Sequence, residues 1–218
     1  MEPQLTYTLP KYQIASGAAD IMMHTMERYF AQASGTYLTD AIAEGLMRTV
    51  RHAAKAALAN PEDYDARATL MWAGSLSHNG LTGCGRIPDW GCHKLQAEVG
   101  GLFDCTHGAG LCSLWASWAR YCLDADPGRF AQYATNVFDV PGNFDDVEGT
   151  ALSGIAAWED WCHQIGMPTS LHELGIEPTA ELVDVMAQRC AASNGTDVIG
   201  NFKALRKEDC AKIYEMAR

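Results

Sequence analysis

Two histidines, His93 and His107, stand fourteen positions apart, with Gly100-Gly101 between them and Gly108-Ala109-Gly110 after the second. On one unbroken helix they would lie about 21 Å apart, at a rise of about 1.5 Å per residue, too far to share a ligand. Glycine accepts the left-handed conformation that ends helices, so a break is expected at Gly100-Gly101, with His107 returning toward His93 on the next helix. Far upstream, Asp20 and His24 are spaced i,i+4, which puts both side chains on one helical face, one turn apart. The four residues offer three imidazoles and one carboxylate on helices that can converge. Imidazole suits zinc and ferrous iron, while a carboxylate adds a hard oxygen donor and lowers the charge of the site. Such a set, with one position left open, is what a catalytic divalent metal requires. Plainer roles stand beside this one. Asp20 and His24 would equally make a surface pair, and His93 and His107 would serve as core or capping histidines.

The remaining candidates carry less. His52, His163 and His172 sit at polar or terminal positions without a partner pattern. His78 precedes Asn79-Gly80 and reads as a solvated or carbonyl-capping residue at a helix end. Cys84, Cys92, Cys105 and Cys112 flank the histidines, but their spacings match no zinc-ribbon or finger pattern. The eight cysteines are spread through a sizeable chain with no Cys-x-x-Cys, which reads as reduced thiols in a cytoplasmic protein. There is no Gly-x-Ser-x-Gly elbow, no Walker-type phosphate loop, and no Gly-x-Gly-x-x-Gly following a strand. Gly108-Ala109-Gly110 is explained by close helix packing.

The elements that must position these residues are nearly all helical. The first ten residues read as an extended lead-in, and a helix follows from about Lys11 to Gln32, with Ile14, Ala18, Ile21, Met22 and Met26 inward. Thr39 is a fitting N-cap for a second helix carrying Ile42, Leu46, Val50, Ala53 and Ala57. Asn60-Pro61-Glu62-Asp63 has the pattern of a helix start, opening a third helix that ends at Asn79-Gly80. Asp89 is the expected N-cap of the helix bearing His93. Another helix runs from His107 to about Leu123, and Asp126-Pro127 starts the next. Val147, Ala151, Ile155, Trp158, Cys162 and Ile165 mark a long amphipathic helix, and two more lie near 178–192 and 207–217. The expectation is an all-α bundle of about eight or nine helices. A net charge of −11 argues against nucleic acid or an anionic membrane as partner, and no apolar run reaches the length of a membrane span.

Several segments together resemble the iron-containing (group III) alcohol dehydrogenases, the butanol dehydrogenase branch in particular. They are Thr6-Tyr7-Thr8-Leu9-Pro10; Asp20-x-x-x-His24-x-x-Glu27-x-Tyr29-Phe30; Met71-Trp72-Ala73 with Asn79-Gly80-Leu81; Asp89-Trp90-x-x-His93; and Asp104-x-x-His107-Gly108-x-Gly110-Leu111. The resemblance runs over essentially the whole chain. It implies the C-terminal helical domain of that fold, with Asp20, His24, His93 and His107 as ligands of a divalent metal, usually ferrous iron and in related members zinc. It further implies NAD(P) as cofactor, a small alcohol or aldehyde as substrate, and a homodimer. Two departures stand out. The nucleotide-binding domain that precedes the helical one in the family is absent, so residues 1–218 read as a domain fragment. Ala97 stands where many members carry a further active-site histidine. Alone, the chain is expected to bind metal weakly or not at all and to lack dehydrogenase activity. The alternative is a binding or oligomerisation module that keeps the fold without catalysis. An unrelated helical metal hydrolase is a third reading, weakened by the lack of an adjacent His-Asp pair.

Overall fold

A computed structural model describes residues 1–218. Nine α-helices account for most of it: α1 Lys11–Tyr29, α2 Tyr37–Ala59, α3 Tyr64–His78, α4 Gly91–Phe103, α5 His107–Cys122, α6 Pro127–Phe138, α7 Val147–Gln164, α8 Ala180–Ala192 and α9 Lys207–Ala217. No strand ladder forms; Ile199 and Leu205 make one isolated antiparallel bridge. The all-α expectation holds, and most differences lie at element ends. Residues Pro3–Thr6 form a 3-10 turn instead of an extended lead-in, because Pro3 suits its first turn and the Glu2 carboxylate accepts the Gln4 N–H. Helix α2 begins at Tyr37, three residues before the Thr39 cap would place it, with Thr36 in the cap position. Asn60 does not open α3: its side chain closes a turn onto the Glu62 N–H, and Asp63 caps the helix through the Ala66 N–H at 3.0 Å.

The reversal between α4 and α5 is not at Gly100-Gly101. Helix α4 runs through both glycines, each costing it only about 1 kcal/mol relative to alanine. It ends at Asp104, whose left-handed backbone (φ 51°) directs its N–H to the Gly100 carbonyl at 3.0 Å. Cys105 and Thr106 complete the turn, and His107 is the first residue of α5.

One hydrophobic core joins side chains from all nine helices. Its densest part is aromatic. Phe30, Trp115, Trp118, Phe130, Tyr133 and Phe202 meet with ring centroids 4.6–6.4 Å apart, the range in which tilted and edge-on pairs are favourable. Beside it lies a charged lock. The Asp40 carboxylate of α2 accepts from Arg129 of α6 at 2.6 and 2.7 Å and from Arg86 at 2.6 Å, while Arg129 also donates to the Tyr29 carbonyl and lies 3.7 Å from the Tyr29 ring centroid. Burial disfavours the charged carboxylate, but the bonds and charges of the two guanidiniums outweigh it and hold Asp40 below its ordinary range. All eight cysteines are free, six of them buried.

Candidate metal centre

Asp20 and His24 sit in the second half of α1, one turn apart as their spacing requires, with Asp20 Oδ1 3.7 Å from His24 Nε2. Two devices bring α5 to them. Gly108, directly after His107, packs so tightly on α1 that a Cβ there would lie 2.1 Å from the Ser16 carbonyl oxygen, so only glycine fits this crossing. The close approach sets His107 Nε2 3.4 Å from Asp20 Oδ1. Helix α4 is stitched to the end of α1 through its first residues. The Asp89 N–H donates to the Glu27 carbonyl at 2.8 Å, and Arg28 donates to the His24 carbonyl while stacking 4.9 Å from the Trp90 ring centroid.

Asp89 lies one residue further from the helix than an N-cap. The intervening Trp90 takes a left-handed conformation (φ 61°), and the Asp89 carboxylate still accepts the first helical N–H, from Gly91, at 2.9 Å. Its other oxygen accepts the Asn201 and Phe202 N–H groups at 2.6 and 2.7 Å, tying the loop before α9 to the same place. Burial pushes the Asp89 carboxyl up to about 7 despite these donors, with the nearby Glu27 adding to the rise.

The imidazoles are aimed by their outer nitrogens. His93 Nδ1 and its backbone N–H both lie 2.8 Å from Glu27 Oε1 at the buried end of the same turn, which leaves His93 Nε2 facing inward. His107 Nδ1 lies 2.5 Å from Gln96 Oε1, which likewise turns its Nε2 toward Asp20. A Cβ at either Gly100 or Gly110 would come within 2.9 Å of the Gln96 amide nitrogen, so these two glycines make the slot that Gln96 occupies. An orienting carboxylate or amide behind each histidine is the arrangement that fixes tautomer and ring direction in metal sites.

Asp20 Oδ1, His24 Nδ1 and His93 Nε2 are buried with no hydrogen-bond partner. Unpartnered buried polar atoms are costly unless something else satisfies them. Donor atoms of Asp20, His93 and His107 lie within 4.8 Å of one another, and the His24 ring centroid is 4.7 Å from that of His93. Burial lowers the pKa of both His24 and His93 to about 4, so neutral imidazole, the form that binds metal, is the ground state at neutral pH. Burial also raises Glu27 to about 7. One carboxylate and three imidazoles of this kind fit a divalent transition metal.

The four residues singled out from the sequence are thus together. Ala97 is exposed on α4. His52, His163 and His172 lie elsewhere, the last two paired with Glu173 and Glu177. Three contributors escaped sequence reasoning. Glu27 and Gln96 gave a weak signal, each one helical turn or less from a candidate histidine. His78 was read as a helix-end residue; it does bond the Gly74 carbonyl through Nδ1 at 2.9 Å, but its ring also lies 3.8 Å from that of His24.

Residues 14–218 match the Fe-containing alcohol dehydrogenase family, C-terminal part. NADH-dependent butanol dehydrogenase A of Clostridium acetobutylicum is 37% identical over 216 residues, which are 99% of this chain and 54% of that protein. The NADPH-dependent aldehyde reductase YqhD of Escherichia coli is 30% identical over 218 residues. The crystal structure of YqhD superposes with a TM-score of 0.92, over 100% of this chain and 55% of the other. That of NADH-dependent butanol dehydrogenase A from Thermotoga maritima superposes at 0.91, with 31% identity, over 99% of this chain and 54% of that one. The chain spans about half the length of the relatives it matches. It belongs to the Fe-containing alcohol dehydrogenase family, to the C-terminal helical domain of its butanol dehydrogenase branch.

Proposed function

We propose that this chain is the metal-bearing part of an NAD(P)-dependent alcohol dehydrogenase that interconverts primary alcohols and aldehydes. In this reading Asp20, His24, His93 and His107 hold ferrous iron or zinc. The observation that carries it is that Asp20, His93 and His107 bring donor atoms from three helices within 4.8 Å of one another, with His24 Nε2 3.7 Å from Asp20 and with Asp20 Oδ1 and His93 Nε2 buried and unpartnered there. When bound, such a cation supplies Lewis acidity toward an alcohol or aldehyde oxygen. Glu27 and Gln96 keep the His93 and His107 rings turned inward, and the Asp89 and Gly108 contacts keep α4 and α5 pressed against α1. Burial keeps the imidazoles unprotonated, so protons do not compete for the site near neutral pH.

The nicotinamide that exchanges hydride with substrate is assigned to a nucleotide-binding domain outside residues 1–218. Cytoplasmic residence and homodimerisation belong to the same reading as expectations from the family resemblance, the free thiols agreeing with the first; no helix is long and apolar enough to cross a membrane. Because the orienting bonds lie entirely within these residues, the isolated chain is expected to bind added Zn(II). That reverses the expectation drawn from the sequence, which is weak binding or none. Titrating the apo chain with Zn(II) against a chromophoric chelator tests it: one equivalent bound by the wild type and lost in His93→Ala is the expected result. A wild-type chain that competes no better than His93→Ala would contradict the assignment.

A further inference from the structure

His78 closes α3 at the mouth of the site, and nothing in the four-ligand set requires it there. Its ring is held at both ends. Nδ1 lies 2.9 Å from the Gly74 carbonyl and 2.7 Å from Ser77 Oγ, while Nε2 points at Asp20 Oδ2 from 3.5 Å. A carbonyl can only accept, so Nδ1 carries a hydrogen, and Nε2 is the nitrogen turned toward the site. Donor atoms of Asp20, His24 and His78 all lie within 4.8 Å of one another, a second three-donor group sharing Asp20 with the first. With its ring 3.8 Å from that of His24 and its Nε2 turned to Asp20, His78 stands within reach of a cation held by those two residues.

We propose that His78 is a fifth donor at this centre, exchangeable because its side chain is 42% exposed and α3 ends with it. The inference rests on the metal-binding reading above and adds to it. In the chain without substrate, His78 would occupy the position that the four-ligand set leaves open, and an incoming oxygen ligand would have to displace it. Its carbonyl-capped Nδ1 fixes the ring direction much as Glu27 and Gln96 do for His93 and His107.

The test is to load the full chain with Co(II) and compare wild type, His78→Asn and His78→Phe. Paramagnetic proton NMR gives one strongly shifted exchangeable N–H for each imidazole bonded to cobalt through its other nitrogen. Beyond those of His24, His93 and His107, the wild type is expected to show a resonance for His78, and both variants to lack only that one. Competition with a chelator should show Co(II) held about 10-fold or more weaker in the variants. Exposure of the His78 side chain favours folding of both variants, which circular dichroism verifies. A wild-type spectrum without the His78 resonance overturns the proposal, even if the variants bind metal less well, because a residue that only props Asp20 would give that result. Failure of the wild type to bind Co(II) at all overturns both this inference and the reading beneath it.

Discussion

At the scale of single residues, the side chains behind the proposed ligands decide how well the site is formed. Glu27 is buried and holds both the ring and the backbone of His93. Replacing it with alanine frees the ring to turn and leaves the His93 N–H without its acceptor. Glu27→Ala is therefore expected to weaken Zn(II) binding by about 10–100-fold, the range found when such orienting partners are removed. Gln96→Ala should act in the same range through His107. Because each acts through a different histidine, chelator competition on the two single variants and the double variant measures how far the effects add. Equal affinity in wild type and Glu27→Ala would show that His93 is held by packing alone.

At the scale of elements, the site depends on how closely three helices meet. Gly108→Ala puts a methyl where the Ser16 carbonyl stands, so α5 must move off α1. Overpacking of this sort costs about 1–3 kcal/mol, and it separates His107 from Asp20 as well. Urea unfolding should show the stability loss and chelator competition the loss of affinity; an unchanged midpoint would mean that the crossing adapts freely. The Asp40 lock between α2 and α6 makes a separate prediction. Removing one partner of a buried ion pair costs about 3 kcal/mol or more, so Asp40→Asn should destabilise the chain by that order near neutral pH. The folded Asp40 pKa is depressed, so its contribution is complete above the unfolded value of about 3.9 and is lost as pH falls through the lower folded value. The gap between wild type and Asp40→Asn in urea titrations should therefore be constant from pH 7 to about 4 and narrow below that. A gap that narrows between pH 7 and 5 would exclude Asp40 as its source.

At the scale of the whole molecule, the proposed function divides the labour: the helical part would hold the metal, and a domain beyond these residues the nicotinamide. Zn(II)- or Fe(II)-loaded chain is expected to show no NAD(P)H-dependent turnover of butanal on its own and to gain it when a nucleotide-binding domain of this family is supplied in trans. Robust turnover by the isolated chain, followed at the nicotinamide absorbance band, would contradict this division of labour.

What the sequence by itself determined is governed by local rules and by composition. The 3.6-residue periodicity of Ile42, Leu46, Val50, Ala53 and Ala57 defines α2, Asp126-Pro127 starts α6, and the i,i+4 spacing of Asp20 and His24 places both on one face of α1. The combined segments around Asp20, His93 and His107 carry the family. Helix ends were less legible, since Asn60, Asp63 and Thr39 are all competent caps and only the tertiary environment selects among them. The Gly100-Gly101 pair misled for the same reason: glycine permits a break without requiring one. Here both glycines stay helical, Gly100 beside the Gln96 side chain, and the chain turns at Asp104. Only the tertiary structure brought His78 to Asp20 from 58 positions away, because the contact follows from the packing of α3 on α1 and no rule of spacing connects them.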